Sequence, residues 1–324
     1  MALFAITTRL PEPAPGLLRE AGELRAADVE GVLARDQLLE LVAGADVVLT
    51  QLGDRVDGEL LDAAGPGLRA VCNVAVGYDN VDLEAAVRRG VAVANTPGVL
   101  DDATADLALG LILAATRRLG EGERLIRARR PWRWGMGFML GHGLRGKLLG
   151  VVGLGAIGAR VAERARAFGM RIAYHNRGEA PDAIVALLEA ERMELDELLA
   201  AADVLTLHTP LTERTRHLVG ARELALMKPT ATLVNTARGP VVDEAALVEA
   251  LRAGTIASAG LDVFEREPEV HPGLLELENV VLVPHLGSAT VETRAAMAEL
   301  AARNAIAAAR GVPLPTPVEL PRPG

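Results

Sequence analysis

Cysteine is nearly absent from this 324-residue chain. Cys72 stands alone, so no intrachain disulfide and no cysteine-rich metal site can form. Flanked by Val71 and Val74 in a strand-like run, it reads as a core residue. Lysine is scarce as well: Lys147 and Lys228 are the only two, and arginine carries the positive charge. With alanine abundant, that bias reads as codon usage rather than chemistry. There are six histidines, and none stands in H-E-x-x-H or a similar spacing, so no metal is expected. A positive excess is also missing. The formal net charge of −9 repels a phosphate backbone, which argues against nucleic acid as a partner. Long hydrophobic runs are lacking too. The most apolar helical stretch, 107–115, is too short to span a bilayer. The N-terminus, MALFAITTRLPEPAPG, has neither the basic n-region nor the sustained apolar h-region of a signal peptide, and reads as a first strand. A cytoplasmic protein without a membrane partner is expected.

What is present is globular. Half the residues are hydrophobic and 24% are charged, and the length suits two domains. In the first third, apolar runs at 4–7, 46–50, 70–73 and 91–94 alternate with helical stretches at 35–43, 58–64 and 83–89. Such alternation predicts βα units on a parallel sheet. A break at Asn95-Thr96-Pro97-Gly98 is followed by a predicted long helix over 102–129 and a glycine-rich loop holding Trp132 and Trp134. The βα pattern then resumes. Strands are predicted at 171–174, 204–208, 232–235, 257–262 and 280–283, with helices at 195–201 and 244–252 and a final amphipathic helix at 293–310. Prolines at 313, 315, 317, 321 and 323 predict an extended, mobile tail.

The most informative segment is Leu149-Gly150-Val151-Val152-Gly153-Leu154-Gly155-Ala156-Ile157-Gly158, a strand entering G-x-G-x-x-G ahead of a helix at 159–168. Gly153 would permit a tight turn, Gly155 would let the backbone approach a pyrophosphate, and Gly158 would let helix and strand pack closely. The helix N-terminus offers free N–H groups to phosphates. The order predicts an α/β protein with two doubly wound parallel sheets, one nested in the other. The dinucleotide-binding domain, 98–286, is inserted into a second domain made of 1–97 and 287–324. The active site is expected in the cleft between them, outside the carboxyl ends of the strands.

Four strand ends in the inserted unit place polar residues directly after apolar runs: Thr206-Leu207-His208-Thr209-Pro210, Asn235-Thr236-Ala237-Arg238-Gly239, Asp262-Val263-Phe264-Glu265-Arg266-Glu267-Pro268, and Pro284-His285-Leu286-Gly287-Ser288. With Val74-Ala75-Val76-Gly77-Tyr78-Asp79-Asn80, these motifs in this order closely resemble the D-isomer-specific 2-hydroxyacid dehydrogenases, particularly the glyoxylate/hydroxypyruvate reductase branch. The resemblance covers nearly the whole chain. It implies a Rossmann-like cofactor domain, a flavodoxin-like substrate (catalytic) domain and a catalytic set of Arg238, Glu267 and His285. Those side chains suit the chemistry. Arg238 can fork onto a 2-keto acid's carboxylate, and His285 can give a proton to the carbonyl oxygen as hydride arrives. Glu267 would orient the imidazole and favour its charged form. His142, His217 and His271 lack such support and read as loop or surface residues.

The resemblance further implies that Val76 and Gly77 hold the substrate carboxylate through backbone N–H groups, that Leu52 lines a small pocket, and that Trp134 reaches the substrate site of a neighbouring subunit in a homodimer. Besides the glycine turn (Gly153, Leu154, Gly155, Ala156, Ile157 and Gly158), its cofactor contacts are Thr104, Thr209, Pro210, Thr215, Thr236, Ala237, Arg238, Asp262, His285 and Gly287. The strand after the turn ends Ala173-Tyr174-His175-Asn176-Arg177, with no acid where a ribose-binding Asp or Glu would stand. Asn176 can bond a ribose or phosphate and Arg177 can pair with a 2′-phosphate. NADP(H) is therefore favoured, with NAD(H) possible and Glu179 close enough to blunt the preference. The expected reaction is reduction of glyoxylate or hydroxypyruvate to glycolate or D-glycerate. D-3-phosphoglycerate dehydrogenase is an alternative, made less favourable by the short tail after the last helix, which leaves no room for a regulatory domain. A dinucleotide-sensing, corepressor-like scaffold is another.

Overall fold

The computed structural model describes residues 1–321. The chain divides into two compact units: Met1–Leu100 with the segment from Ala289 onward, and Asp101–Ser288.

Five strands build the first unit: β1 (Leu3–Ile6), β2 (Glu23–Ala26), β3 (Val47–Thr50), β4 (Ala70–Asn73) and β5 (Ala92–Ala94). All pair in parallel, in the order β2-β1-β3-β4-β5, which is the flavodoxin-like order. Successive strand residues face opposite sides. Ala5, Val48, Val71 and Val93 pack under helices Arg35–Val42, Gly58–Ala64 and Leu83–Arg89. Phe4, Leu49 and Cys72 face the other way, into a cluster with helices Ala14–Ala21 and Val291–Arg310. Both faces are covered, which is why these strands read as continuous apolar runs rather than alternating ones.

Two features depart from the sequence-based expectation. Helix Ala14–Ala21 and strand β2 lie between the predicted first strand and the helix at 35–43, where the sequence predicts no element. Pro15 falls in the first helical turn, where its missing N–H costs nothing. The tail is not loose through its first residues. Val318 N–H donates to Val93 O at 2.8 Å, and Thr316 is bonded to both Asn304 and Asn95. The mobile end expected after Gly311 is thus pinned along β5 up to Val318. The last three residues, Pro323 among them, lie outside the described residues.

The second unit holds β6 (Leu148–Val152), β7 (Arg171–His175), β8 (Glu191–Arg192), β9 (Val204–Leu207), β10 (Thr232–Asn235), β11 (Ser258–Leu261) and β12 (Val280–Leu282). They form one parallel sheet ordered β12-β11-β10-β9-β6-β7-β8, the doubly wound dinucleotide-binding order with one strand added. The register positions the site. Val152 pairs with Leu207, Leu207 with Asn235, Asn235 with Leu261, and Leu261 with Leu282. Four strand ends beside β6 therefore finish in one row, and the residues after them leave the sheet side by side.

The long helix predicted over 102–129 is two helices, Asp101–Thr116 and Leu119–Arg127. Arg118 between them adopts a left-handed conformation (φ 54°), and the Thr116 carbonyl is taken by the N–H of His142 at 2.9 Å. The second helix buries none of its residues. Beyond it, Trp132, Trp134, Met136 and Leu140 are exposed, Trp134 to 79%. Among the described residues no helix is long and apolar enough to cross a membrane.

Candidate active site

The glycine turn is built as its spacing predicts. Gly153 has φ 98°, and a Cβ there would lie 2.7 Å from the His208 carbonyl, so the turn needs glycine twice over. A Cβ on Gly158 would strike the Gly153 carbonyl at 2.2 Å, the close helix–strand approach anticipated for it. On Gly155 a Cβ would meet nothing, which leaves the backbone open to a phosphate. The helix starts at Ala156 rather than 159, with Gly155 as an N-cap that gives no side-chain hydrogen bond. The N–H groups of the first turn therefore remain available to an anion. Leu154, expected among the cofactor contacts, is 1% exposed and packs in the core.

Asn176, expected to bond a ribose or phosphate, turns its amide onto the glycine turn. Its Oδ1 accepts from Leu154 N–H at 2.7 Å and its Nδ2 donates to Leu154 O at 3.4 Å. The amide braces the glycine turn. Arg177 follows it on the surface, and Arg192 from neighbouring β8 reaches the same corner, donating to Asn176 O at 3.4 Å.

At the next strand end, Thr209 Oγ1 is buried with no hydrogen-bond partner among the described residues. His208 beside it bonds Thr206 through Nε2 at 2.8 Å, and burial pushes its imidazole down to about 3, so the ring stays neutral. Thr215 turns its hydroxyl back onto Pro210 O at 2.7 Å and closes the loop. After β10, Asn235 holds the following turn from within. Its Oδ1 accepts from Ala237 N–H at 3.0 Å and its Nδ2 donates to Arg238 O at 2.9 Å. Thr236 and Ala237 are buried, and Arg238 is half-buried.

Glu267 and His285 meet. His285 Nδ1 lies 2.8 Å from Glu267 Oε2, while Glu267 Oε1 accepts from Phe264 N–H at 3.0 Å. Burial pushes the Glu267 carboxyl up. The bond to His285, the imidazole charge, the Phe264 N–H and the Arg238 guanidinium outweigh it and leave the group below the ordinary carboxylate range. His285 itself has φ 53°, a conformation rare outside glycine. Asp262 enforces it. The Asp262 carbonyl accepts from His285 N–H at 2.8 Å, and its carboxylate accepts from the N–H groups of Leu286 and Gly287. Asp262, expected among the cofactor contacts, thus has both carboxylate oxygens engaged in shaping the His285 turn. Burial holds its carboxyl above the usual range. Thr104, 5% exposed, lies 3.4 Å from where a Cβ on Gly287 would stand.

Sequence reasoning missed His208 and Asn235 as parts of this site. The spacing of Thr206 and His208, two apart on one strand face, was the available signal for the first.

In the first unit, Val76 and Gly77 follow β4, and their carbonyls accept from Asn95 and Asn73 at 2.8 and 2.9 Å. Their loop is thereby held from inside the unit. Leu52 lines a cavity of about 380 Å³ with Asp54, Arg55 and Asn80. Trp134 stands exposed on the arm of the second unit.

A parallel sheet of this order, ending in a glycine-turn cradle and an Arg–Glu–His set, defines a nicotinamide-dependent dehydrogenase. This chain belongs to the D-isomer-specific 2-hydroxyacid dehydrogenase family: residues 109–287 match the family's NAD-binding domain. It is similar to the glyoxylate reductase of Thermococcus gammatolerans, at 50% identity over 96% of this chain and 94% of that one. Among solved structures, a protein from Thermus thermophilus superposes with TM-score 0.90 at 45% identity, covering 98% of this chain and 100% of the other. An NADPH-dependent glyoxylate/hydroxypyruvate reductase from Sinorhizobium meliloti, solved with NADP and malonate, gives TM-score 0.84 at 35% identity, covering 98% and 96%.

The residues present fit a nicotinamide dinucleotide. The glycine cradle, the uncapped helix start and the unpartnered Thr209 hydroxyl are features such a ligand would satisfy. Among the described residues no His, Cys, Asp or Glu side chains are grouped to hold a metal ion.

Proposed function

We propose that this enzyme reduces glyoxylate and hydroxypyruvate to glycolate and D-glycerate, with Arg238, Glu267 and His285 as its catalytic residues. The observation that carries the reading is the 2.8 Å Glu267–His285 pair, set beside the charge of Arg238. When bound, a reduced nicotinamide supplies the hydride. Arg238 would hold the substrate carboxylate by paired hydrogen bonds. His285 would give a proton from Nε2 to the carbonyl oxygen, since its Nδ1 faces Glu267. Glu267 would fix the orientation of the ring. From the first unit, the N–H groups of Val76 and Gly77 and the side chain of Leu52 are proposed substrate contacts. The relatives named glyoxylate reductase support this substrate class. The phosphoglycerate alternative would need a further free basic group, and Arg55 is already paired with Asp57 at 2.9 Å.

The decisive experiment is turnover on a panel of 2-keto acids with both cofactors, for wild type and His285→Ala. The variant should lose about 100-fold or more in kcat while still binding cofactor. Absence of NAD(P)H oxidation by the wild type on every small 2-keto acid would leave only a dinucleotide-sensing scaffold.

NADPH is the proposed preferred donor. Arg177 stands open at the end of β7 where a ribose-binding acid would otherwise sit, and Arg192 adds a second positive charge nearby. Arg177→Ala is expected to raise KM for NADPH about tenfold, the value of one lost charge-assisted bond, and to leave KM for NADH nearly unchanged. Equal effects on both cofactors would remove Arg177 from the phosphate site. A homodimer is also proposed. The exposed tryptophan-bearing arm is an apolar surface of the kind a second copy covers, and Trp134 would reach the partner's substrate from it.

A further inference from the structure

Arg238 and Glu267 leave the sheet on different loops, after β10 and after β11. If one holds a carboxylate while the other aims His285, the two loops must keep a fixed relation. We propose that Glu244 and Glu265 provide it as positioning residues, each carboxylate gripping the other's main chain. The inference rests on the roles given above to Arg238 and Glu267.

The grip is reciprocal. Glu244 N–H donates to Glu265 Oε1 at 2.9 Å, and Glu265 N–H donates to Glu244 Oε1 at 2.7 Å. Glu244 opens helix Glu244–Ala253, the element that ends the Arg238 loop, and Glu265 stands two residues before Glu267. A third segment joins them. His217 Nε2 lies 3.2 Å from Glu265 Oε1, while His217 N–H donates to Pro240 O at 2.7 Å and Val219 N–H to Val241 O at 3.1 Å. The loops also touch directly, for a Cβ on Gly239 would fall 1.9 Å from the Phe264 carbonyl carbon. No side chain fits there, so the fold itself presses the two loops together.

The chemistry of the pair argues for positioning rather than stability. Glu244 is 7% exposed, and burial holds its carboxyl above the ordinary range. Two acids brought this close weaken a fold unless donors satisfy them, and apolar side chains would join two loops at lower cost. What carboxylates add is direction. Each bond runs along a fixed N–H vector, so the register of one loop against the other is set and not merely their proximity. A shift there would move the Arg238 fork and the Glu267–His285 pair together, which is how a group far from the reacting atoms costs rate.

The test compares side chains of graded reach at one position, by kcat and KM for glyoxylate and by the NADPH dissociation constant from fluorescence. Glu265→Gln keeps an acceptor oxygen in place and should stay within about threefold of wild type in kcat/KM. Glu265→Asp is one methylene short of Glu244 N–H. It should lose about tenfold or more in kcat/KM, through a higher KM and a lower kcat together, with NADPH affinity within about twofold. Glu244→Asp shortens the other arm, carries the same expectation and decides the matter if Glu265→Asp does not fold. The proposal is overturned if a folded aspartate variant keeps wild-type kcat/KM, or if glutamine does not restore what aspartate loses. Arg238→Ala and His285→Ala are measured alongside. If those two retain turnover, the catalytic reading falls. If they are inactive while the aspartate variants are normal, only the positioning role falls.

Discussion

Glu267 is a carboxylate that burial alone would push toward neutrality and that His285 and Arg238 keep charged. Because its folded-state value lies below the ordinary one, its charge is present throughout the working range. The His285 contact is lost only as pH falls through that lowered value. Reduction consumes a proton that His285 would give, and the Glu267 carboxylate holds that ring through Nδ1. Glu267→Gln should therefore reduce kcat for glyoxylate by about tenfold or more, measured at the pH optimum. An unchanged kcat would mean that Glu267 only packs beside the ring. At this scale the sequence told which residue types gather, since each follows an apolar run. It did not tell which atoms remain for a ligand. Asn176 and Asp262 are of the chemistry expected, yet their side chains are engaged with the N–H groups of Leu154, Leu286 and Gly287. Short-range partners of that kind depend on turn geometry, which spacing does not encode.

Among the elements, the tail shows how a tertiary contact overrides a local signal. Prolines at 313, 315 and 317 forbid helix, but they do not forbid an extended segment laid along an edge strand. Thr316 secures it: Oγ1 donates to Asn95 O at 2.7 Å and accepts from Asn304 Nδ2 at 2.8 Å. Thr316→Ala removes both of these bonds and takes the hydroxyl donor from the Asn95 carbonyl, and should cost about 1–3 kcal/mol, a Tm drop of a few degrees measurable by calorimetry. No change in Tm would mean that the tail adds nothing to the first unit. Elsewhere, helices with a clear apolar period, such as Gly58–Ala64 and Leu83–Arg89, were legible to the residue. Strand β2 was not, for Glu23 and Arg25 on an exposed edge give it no pattern. Neither was the break at Arg118. The helical period continues through it, and what stops the helix is the Thr116 carbonyl's bond to His142, far along the chain.

At the scale of the molecule, parallel pairing in register assembles the site. One row of strand ends, Val152, Leu207, Asn235 and Leu261, sends four loops off the sheet together, so residues more than a hundred positions apart become neighbours without any loop reaching far. The first unit is built differently, because its sheet has one face closed by Val291–Arg310, a helix made after the whole second unit. On the ribosome, Phe4, Leu49 and Cys72 must wait for that helix. Of the two units, the one begun first is the last to be completed, and the part of its apolar face that only this helix covers is what a chaperone would meet on the nascent chain.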